Sequence, residues 1–193
     1  MTQLPATLDV PLAPLSRRWS ATQVQLADGG RVTLRPASAD AARLRELFYT
    51  LSDTTRYLYF CAGVPRNAAW AERVAQLGIA QSGTSYALVA EVAGTLVGVA
   101  RFDHTVAGTR AEIGILLTDA WQSRGLGGAV VARLRTEASR RALAGFTATV
   151  LADNRRATRL LRRAFPNMRA HLSLGQYTLD MPFELESTPT GAR

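Results

Sequence analysis

The chain has 193 residues, a formal net charge of +8 and 47% hydrophobic residues, which suits one globular domain with a proper core. No run approaches the ~18 apolar residues of a membrane helix, and a lone cysteine, Cys61, excludes an internal disulfide and a cysteine-rich zinc site. The first residues, interrupted by Pro5, Pro11 and Pro14, lack the basic and apolar regions of a signal peptide, so a cytoplasmic protein is expected.

Residues 1–20 are Pro-rich, end in Arg17-Arg18-Trp19, and read as a tail. Val24–Leu26, Asp28-Gly29-Gly30 and Arg31–Arg35 read as a hairpin with an Asp-Gly turn. After Pro36, Ser38 or Asp40 can cap a helix carrying Leu44, Leu47, Phe48 and Leu51 at i, i+3, i+4, i+7. Residues 53–63 read as a short irregular or helical segment, and Asn67 caps a helix through Trp70, Val74 and Leu77. Tyr86–Val92, Thr95–His104 and Arg110–Thr118 read as an antiparallel meander. A helix is predicted from about Gly125 to Ala142, a strand over Phe146–Leu151, and a helix capped by Asp153 or Asn154 with Ala157, Leu160, Leu161 and Ala164 inward. Strands over 168–174 and 176–183 close the fold, and 186–193 read as a frayed tail. The predicted class is α/β (α+β): one domain over 21–185 with a mixed, mostly antiparallel sheet flanked by about four helices. The strand-helix-strand unit near 110–151 implies one parallel pair.

The stretch Ile115-Leu116-Leu117-Thr118-Asp119-Ala120-Trp121-Gln122-Ser123-Arg124-Gly125-Leu126-Gly127-Gly128 carries the most information. An apolar strand feeds a short loop, and glycines open a helix. A helix N-terminus presents unpaired N–H groups and partial positive charge, so it binds anions. Three glycines in four residues cost roughly 1 kcal/mol each in helix propensity relative to alanine. A plain turn needs one. The stretch matches neither a Walker-type loop nor a dinucleotide-binding fingerprint.

Gln122-Ser123-Arg124-Gly125-Leu126-Gly127 resembles the Q/R-x-x-G-x-G/A motif of the GNAT acetyltransferase superfamily, and the element order over about 24–185 looks like that fold. Leu51-Ser52, Arg56-Tyr57-Leu58-Tyr59-Phe60 and Ala111-Glu112 ahead of Trp121-Gln122 look like the catalytic domain of bacterial protein lysine acetyltransferases. The resemblance implies acetyl-CoA as donor. Ile115, Leu116 and Leu117 would run beside its pantetheine arm, and Gln122 and Ser123 to Gly128, including Arg124 and Leu126, would hold its pyrophosphate. Asn154 would bond the pantetheine, and Arg156 or Arg159 the adenosine 3′-phosphate. It also implies a bulge in the 110–118 strand and a V-shaped parting from the next parallel strand that admits the donor.

N-acetyl transfer needs a neutral amine, and lysine-type amines are protonated at pH 7, so a base is required. Glu112 is the candidate. Strand alternation sets Ile113, Ile115 and Leu117 on one face and Glu112, Gly114 and Leu116 on the other, with Gly114 leaving room beside the carboxylate. Apolar surroundings raise a carboxylate's proton affinity, which suits a base near neutrality. The alternative is an ion pair to Arg101 or Arg110. Asp119 reads as a cap or turn residue, and Asn154 also fits an ordinary helix cap. The position that holds a tyrosine acid in many GNAT enzymes is Leu161 here. His104 and His171 support neither a triad nor a metal site, so no metal is expected. Tyr57, Tyr59 and Phe60 either wall the acceptor site or pack in the core.

The expected activity is acetyl-CoA-dependent N-acetylation of a primary amine, foremost a protein lysine, by a monomer or homodimer. The alternatives are a small-molecule amine acceptor, predicting an enclosed pocket, and a non-catalytic acyl-CoA sensor. All 23 basic residues are arginine. Coding bias explains this, though arginine's planar fork also suits phosphate. The arginines lack interleaved aromatics, so nucleic acid is not an expected partner.

Overall fold

The computed structural model describes residues 20–79, 85–104 and 108–183. The tail residues 1–19, including Trp19, and 184–193 lie outside them. Strands β1 (Thr22–Gln25) and β2 (Arg31–Pro36) lead into helices α1 (Ala41–Thr50), α2 (Asp53–Phe60) and α3 (Ala68–Leu77). The meander β3 (Ser85–Val92), β4 (Thr95–His104) and β5 (Arg110–Leu117) follows. A 3-10 turn at Asp119–Trp121, helix α4 (Leu126–Arg140), strand β6 (Gly145–Leu151), helix α5 (Arg155–Ala164), and strands β7 (Arg169–Ser173) and β8 (Gln176–Pro182) complete it. The eight strands of the described residues form one sheet in the order β1-β2-β3-β4-β5-β6-β8-β7. Among them, only the β5–β6 neighbours run parallel.

The β1–β2 turn is the expected Asp-Gly type. Gly29 has φ +83°, a conformation open to glycine, and the Asp28 carboxylate accepts from Gly30 N–H at 3.0 Å. The sheet is covered on both faces, so its central strands are apolar on both sides. Leu44, Phe48, Ala71 and Val74 of α1 and α3 pack on Val89, Val99 and Leu116. Leu126, Val130, Leu134 and Leu161 of α4 and α5 pack on Leu88, Phe102, Phe146 and Leu179 from the opposite face.

The described residues contain five α-helices where about four are expected, and the addition is α2. Its sequence is mostly polar and aromatic, so periodicity does not announce it. It is built at its ends instead: Ser52 Oγ accepts from Thr55 N–H at 3.1 Å, and Cys61 leaves the helix at φ +53°. Asn67 and Asn154 cap α3 and α5, accepting from Trp70 N–H and Ala157 N–H at 3.1 Å each. Asp40 holds the cap position of α1 but makes no cap bond. Its carboxylate takes two 2.8 Å bonds from Arg35 instead.

The parallel β5–β6 pair positions the site. It holds only for Arg110↔Gly145, Ala111↔Phe146 and Glu112↔Thr147. Beyond Glu112 the strands part, although β5 runs to Leu117 and β6 to Leu151. The implied bulge in β5 is absent. Its register with β4 is unbroken from Gly98↔Leu117 to His104↔Ala111, and the irregularity lies at Ala90/Glu91 of β3.

Candidate active site at the β5–β6 opening

Backbone alternation decides which groups face the gap. Thr118 donates to Val97 O at 2.9 Å. In an antiparallel ladder, residues at steps of two share that orientation, so Leu116, Gly114 and Glu112 bond to β4. The N–H and C=O groups of Ile115 and Leu117 therefore point to the side from which β6 has withdrawn. The Leu117 C=O accepts from the Gln122 side chain, while the Ile115 N–H and C=O and the Leu117 N–H are free to hydrogen-bond an extended chain laid along β5. Leu116 also lines the gap, but its side chain is buried under α1 and α3. Ile113, Ile115 and Leu117 turn to the α4–α5 side, as alternation predicts.

A groove of about 1050 Å³ opens here. Its walls bring together Glu112, Ile115, Leu116, Leu117, Gln122, Ser123, Gly125, Gly127, Gly128, Asn154 and Arg156. Two candidates from the same motif are not among the lining residues. Leu126 is fully buried beneath α4. The Arg124 side chain ion-pairs with Asp28 in the β1–β2 turn and stacks over Trp121, 4.1 Å from the ring centroid. Its partner is 96 residues away in sequence, so no local signal announces the pairing.

The glycine-rich loop has three different reasons for its glycines. Gly125 caps α4 at φ +92°, and Ser123 precedes it at φ +61°. Gly127 lies where a Cβ would stand 2.9 Å from Leu160 Cδ2, so it lets α4 and α5 approach. Gly128 faces open space. The N–H groups of residues 123–127 have no acceptor among the described residues, and they converge at the positive end of α4. Arg156, Arg159 and Arg163 of α5 add positive charge to the same stretch.

Gln122 ties the loop to its surroundings. Its Nε2 donates to Leu117 O at 2.8 Å and to Thr55 Oγ1 at 3.0 Å, while Oε1 accepts from Arg156. Asp119, read from sequence as a cap or turn residue, accepts from Ser52 N–H at 3.0 Å, Ser52 Oγ at 2.6 Å and Thr55 Oγ1 at 2.8 Å. Burial would push its carboxyl up, but the Ser52 and Thr55 donors outweigh that and hold it below the ordinary value. This clasp fixes α2 across the opening, and sequence reasoning missed it because both halves are individually unremarkable polar residues.

Glu112 is the last β5 residue paired with β6 and stands opposite Asp103 on β4. Its carboxylate makes no hydrogen bond or ion pair with a described residue. The alternative partners are committed elsewhere: Arg101 pairs with Asp103, and Arg110 with Asp180. Glu112 is exposed at the groove mouth rather than enclosed by apolar surface. Above it, Tyr59 of α2 holds its hydroxyl over Gly114, 3.0 Å from where a Cβ would be. Asn154 lines the groove while its Oδ1 serves as the α5 cap, leaving its amide N–H₂ available. Leu161 is buried on the α4–α5 side. No group of three His, Cys, Asp or Glu able to hold a metal occurs among the described residues, and no described helix is long and apolar enough to cross a membrane.

Comparison with known proteins agrees with this architecture. The GNAT domain of S. lividans PAT superposes with a TM-score of 0.75 at 26% identity, covering 84% of this chain and 97% of that one. A cAMP-binding acyltransferase from Mycobacterium smegmatis matches with a TM-score of 0.57 at 20% identity over 89% of this chain. The match spans half of that longer protein. Spermidine N-acetyltransferase from Vibrio cholerae, solved with CoA and spermine, shares the fold with a TM-score of 0.60 at 15% identity, covering 78% of this chain and 93% of that one. No curated protein matches the sequence significantly. The family model of the acetyltransferase (GNAT) domain matches residues 31–164, more than two thirds of the chain. With the parted β5–β6 pair and the glycine-opened α4, this chain belongs to the GNAT acetyltransferases and is an N-acetyltransferase.

Proposed function

We propose that the chain transfers the acetyl group of acetyl-CoA to a lysine side chain of a protein, with Glu112 as the base. The pantetheine arm would lie along β5, bonded to the backbone of Ile115 and Leu117 and to the Asn154 amide. The N–H groups of residues 123–127 would take the diphosphate, Gly128 would admit it, and Arg156 or Arg159 would take the adenosine phosphate. Glu112 would accept the proton of the incoming ammonium, and the freed amine would attack the thioester carbon. An exposed carboxylate without a partner, at the vertex where the strands part, supports that role.

The observation that carries the protein acceptor is the shape of the amine side. The groove is partly open and lined on one side by Thr55, Leu58 and Tyr59 of α2, and the same helix lines a second open hollow of about 560 Å³ with Asp53, Arg56, Tyr57 and Gly63 to Arg66. A small amine is better held by an enclosed pocket, which these described residues do not form. The 26% identity to the GNAT domain of PAT over nearly its whole length points the same way. The test is acetyl-CoA turnover against parallel panels of small amines and lysine-bearing proteins. Acetylated protein lysine is the expected product. Efficient turnover of a polyamine or amino acid with none on protein would overturn the acceptor assignment.

A further inference from the structure

Acyl transfer makes a demand at sulfur as well as at nitrogen. As the amine attacks, the C–N bond forms, the C–S bond breaks and its electron pair goes to sulfur, which must be protonated. Leu161 cannot do this. Among the other groove side chains, Thr55 is committed to Asp119 and Gln122, and Ser123 belongs to the anion loop. The Cys61 thiol, pushed up by burial, accepts from Leu151 N–H. Tyr59 is differently situated. It projects from the last turn of α2, braced edge-on by Phe60 at 4.9 Å between centroids, and its hydroxyl hangs over Gly114. That glycine shares a face of β5 with Glu112 and lies just past the last β5–β6 pair. The hydroxyl makes no hydrogen bond to a described residue.

We propose that the Tyr59 hydroxyl relays the proton from the amine side of the reaction to the departing coenzyme A sulfur. Glu112 releases the first ammonium proton to solvent, and as the C–N bond forms it takes the second proton from nitrogen. The phenol proton passes to sulfur as Glu112 returns its own to the phenol oxygen, directly or through a water. The products are an amide and a thiol, and both residues regain their starting states. No free phenolate need form, and a desolvated thiolate is itself a stronger base than in water. Burial pushes the phenol up, Arg101 opposes this, and the Asp103 and Glu112 carboxylates reinforce it. Tyr59 thus keeps its proton throughout the neutral range. Gly114 becomes a requirement of the site: any larger residue would displace the hydroxyl.

The assignment rests on the acetyl-transfer reading, and its test separates the two. Tyr59→Phe is expected to lower kcat with acetyl-CoA roughly 100-fold while leaving acetyl-CoA affinity and Tm nearly unchanged. With a nitrothiophenyl thioester, whose leaving thiol needs no proton, the same variant should fall within about threefold of the unaltered chain. Thr149→Val, removing the hydroxyl on the neighbouring β6, should change neither rate. Full activity of Tyr59→Phe with acetyl-CoA, or an equal loss with both donors, would overturn the relay while the reading stands. A loss falling on Thr149→Val instead would do the same. Absence of transfer to any amine by the unaltered chain would overturn both.

Discussion

The glycines of the anion loop offer a test in which stability and affinity move in opposite directions. Gly128 sits in the first turn of α4 with nothing within 4 Å of a built Cβ. Gly128→Ala therefore introduces no clash and gains helix propensity, up to about 1 kcal/mol, or about 2–4 °C in Tm for a chain of this size. On the proposed reading, the added methyl stands where the diphosphate would approach. Displacing one charge-assisted N–H bond costs about 1.5–3 kcal/mol, roughly a 10- to 100-fold weaker Kd for CoA. Gly127→Ala behaves differently. Its Cβ meets Leu160 Cδ2 at 2.9 Å, and overpacking of this kind costs about 1–3 kcal/mol, against the same propensity gain. Tm should hold or fall. Gly125→Ala forces a side chain onto φ +92°, at a cost of roughly 1–2 kcal/mol. Thermal melts without ligand, and titration calorimetry with CoA and with a pantetheine fragment lacking the diphosphate, read all three. The fragment should bind Gly128→Ala as it binds the unaltered chain. If Gly128→Ala raised Tm and left CoA affinity unchanged, the cradle would not hold the diphosphate.

Glu112→Gln should lower kcat roughly 100-fold with acetyl-CoA affinity kept, as steady-state kinetics and calorimetry would report. Arg124→Ala should leave CoA affinity within about twofold, since its side chain serves Asp28 and Trp121. Arg156→Ala should weaken CoA several-fold but dephospho-CoA much less, and equal effects on both would remove it from the 3′-phosphate. Asp119 has a folded-state pKa below its ordinary 3.8, so the stabilisation it brings is fully present above that value. That stabilisation is lost as pH falls through the lower folded value. A series of melts from pH 5 to 2 should show Tm falling below about pH 4, less steeply in Asp119→Asn.

How much of this is legible in the sequence depends on the range of the interaction. Capping at Asn67, the Asp-Gly turn at 28–29 and the alternation that sets Glu112 apart from Ile113 are local, and each reads from spacing. The meander follows from short turns between apolar runs. The end of parallel pairing at Glu112↔Thr147 does not, because it depends on where α2 and α5 seat against the sheet. Helix α2 is hidden for the same reason: its N-terminus is held by Asp119, far along the chain. The loop 122–128 is recognisable from its glycines, yet only packing separates their three roles. Arg124 looks like a phosphate ligand in sequence and is a clasp to the β1–β2 turn in space. Tyr59 is one of three neighbouring aromatics until Gly114 shows which one reaches over β5.

A crystal structure of the chain with CoA tests the central claim most directly. The account predicts the pantetheine between β5 and β6, hydrogen-bonded to the backbone of Ile115 and Leu117. The diphosphate should lie on the N–H groups of residues 123–127, and the sulfur within reach of Glu112 and Tyr59. A pantetheine lying outside that opening, or a sulfur remote from Glu112, would contradict it.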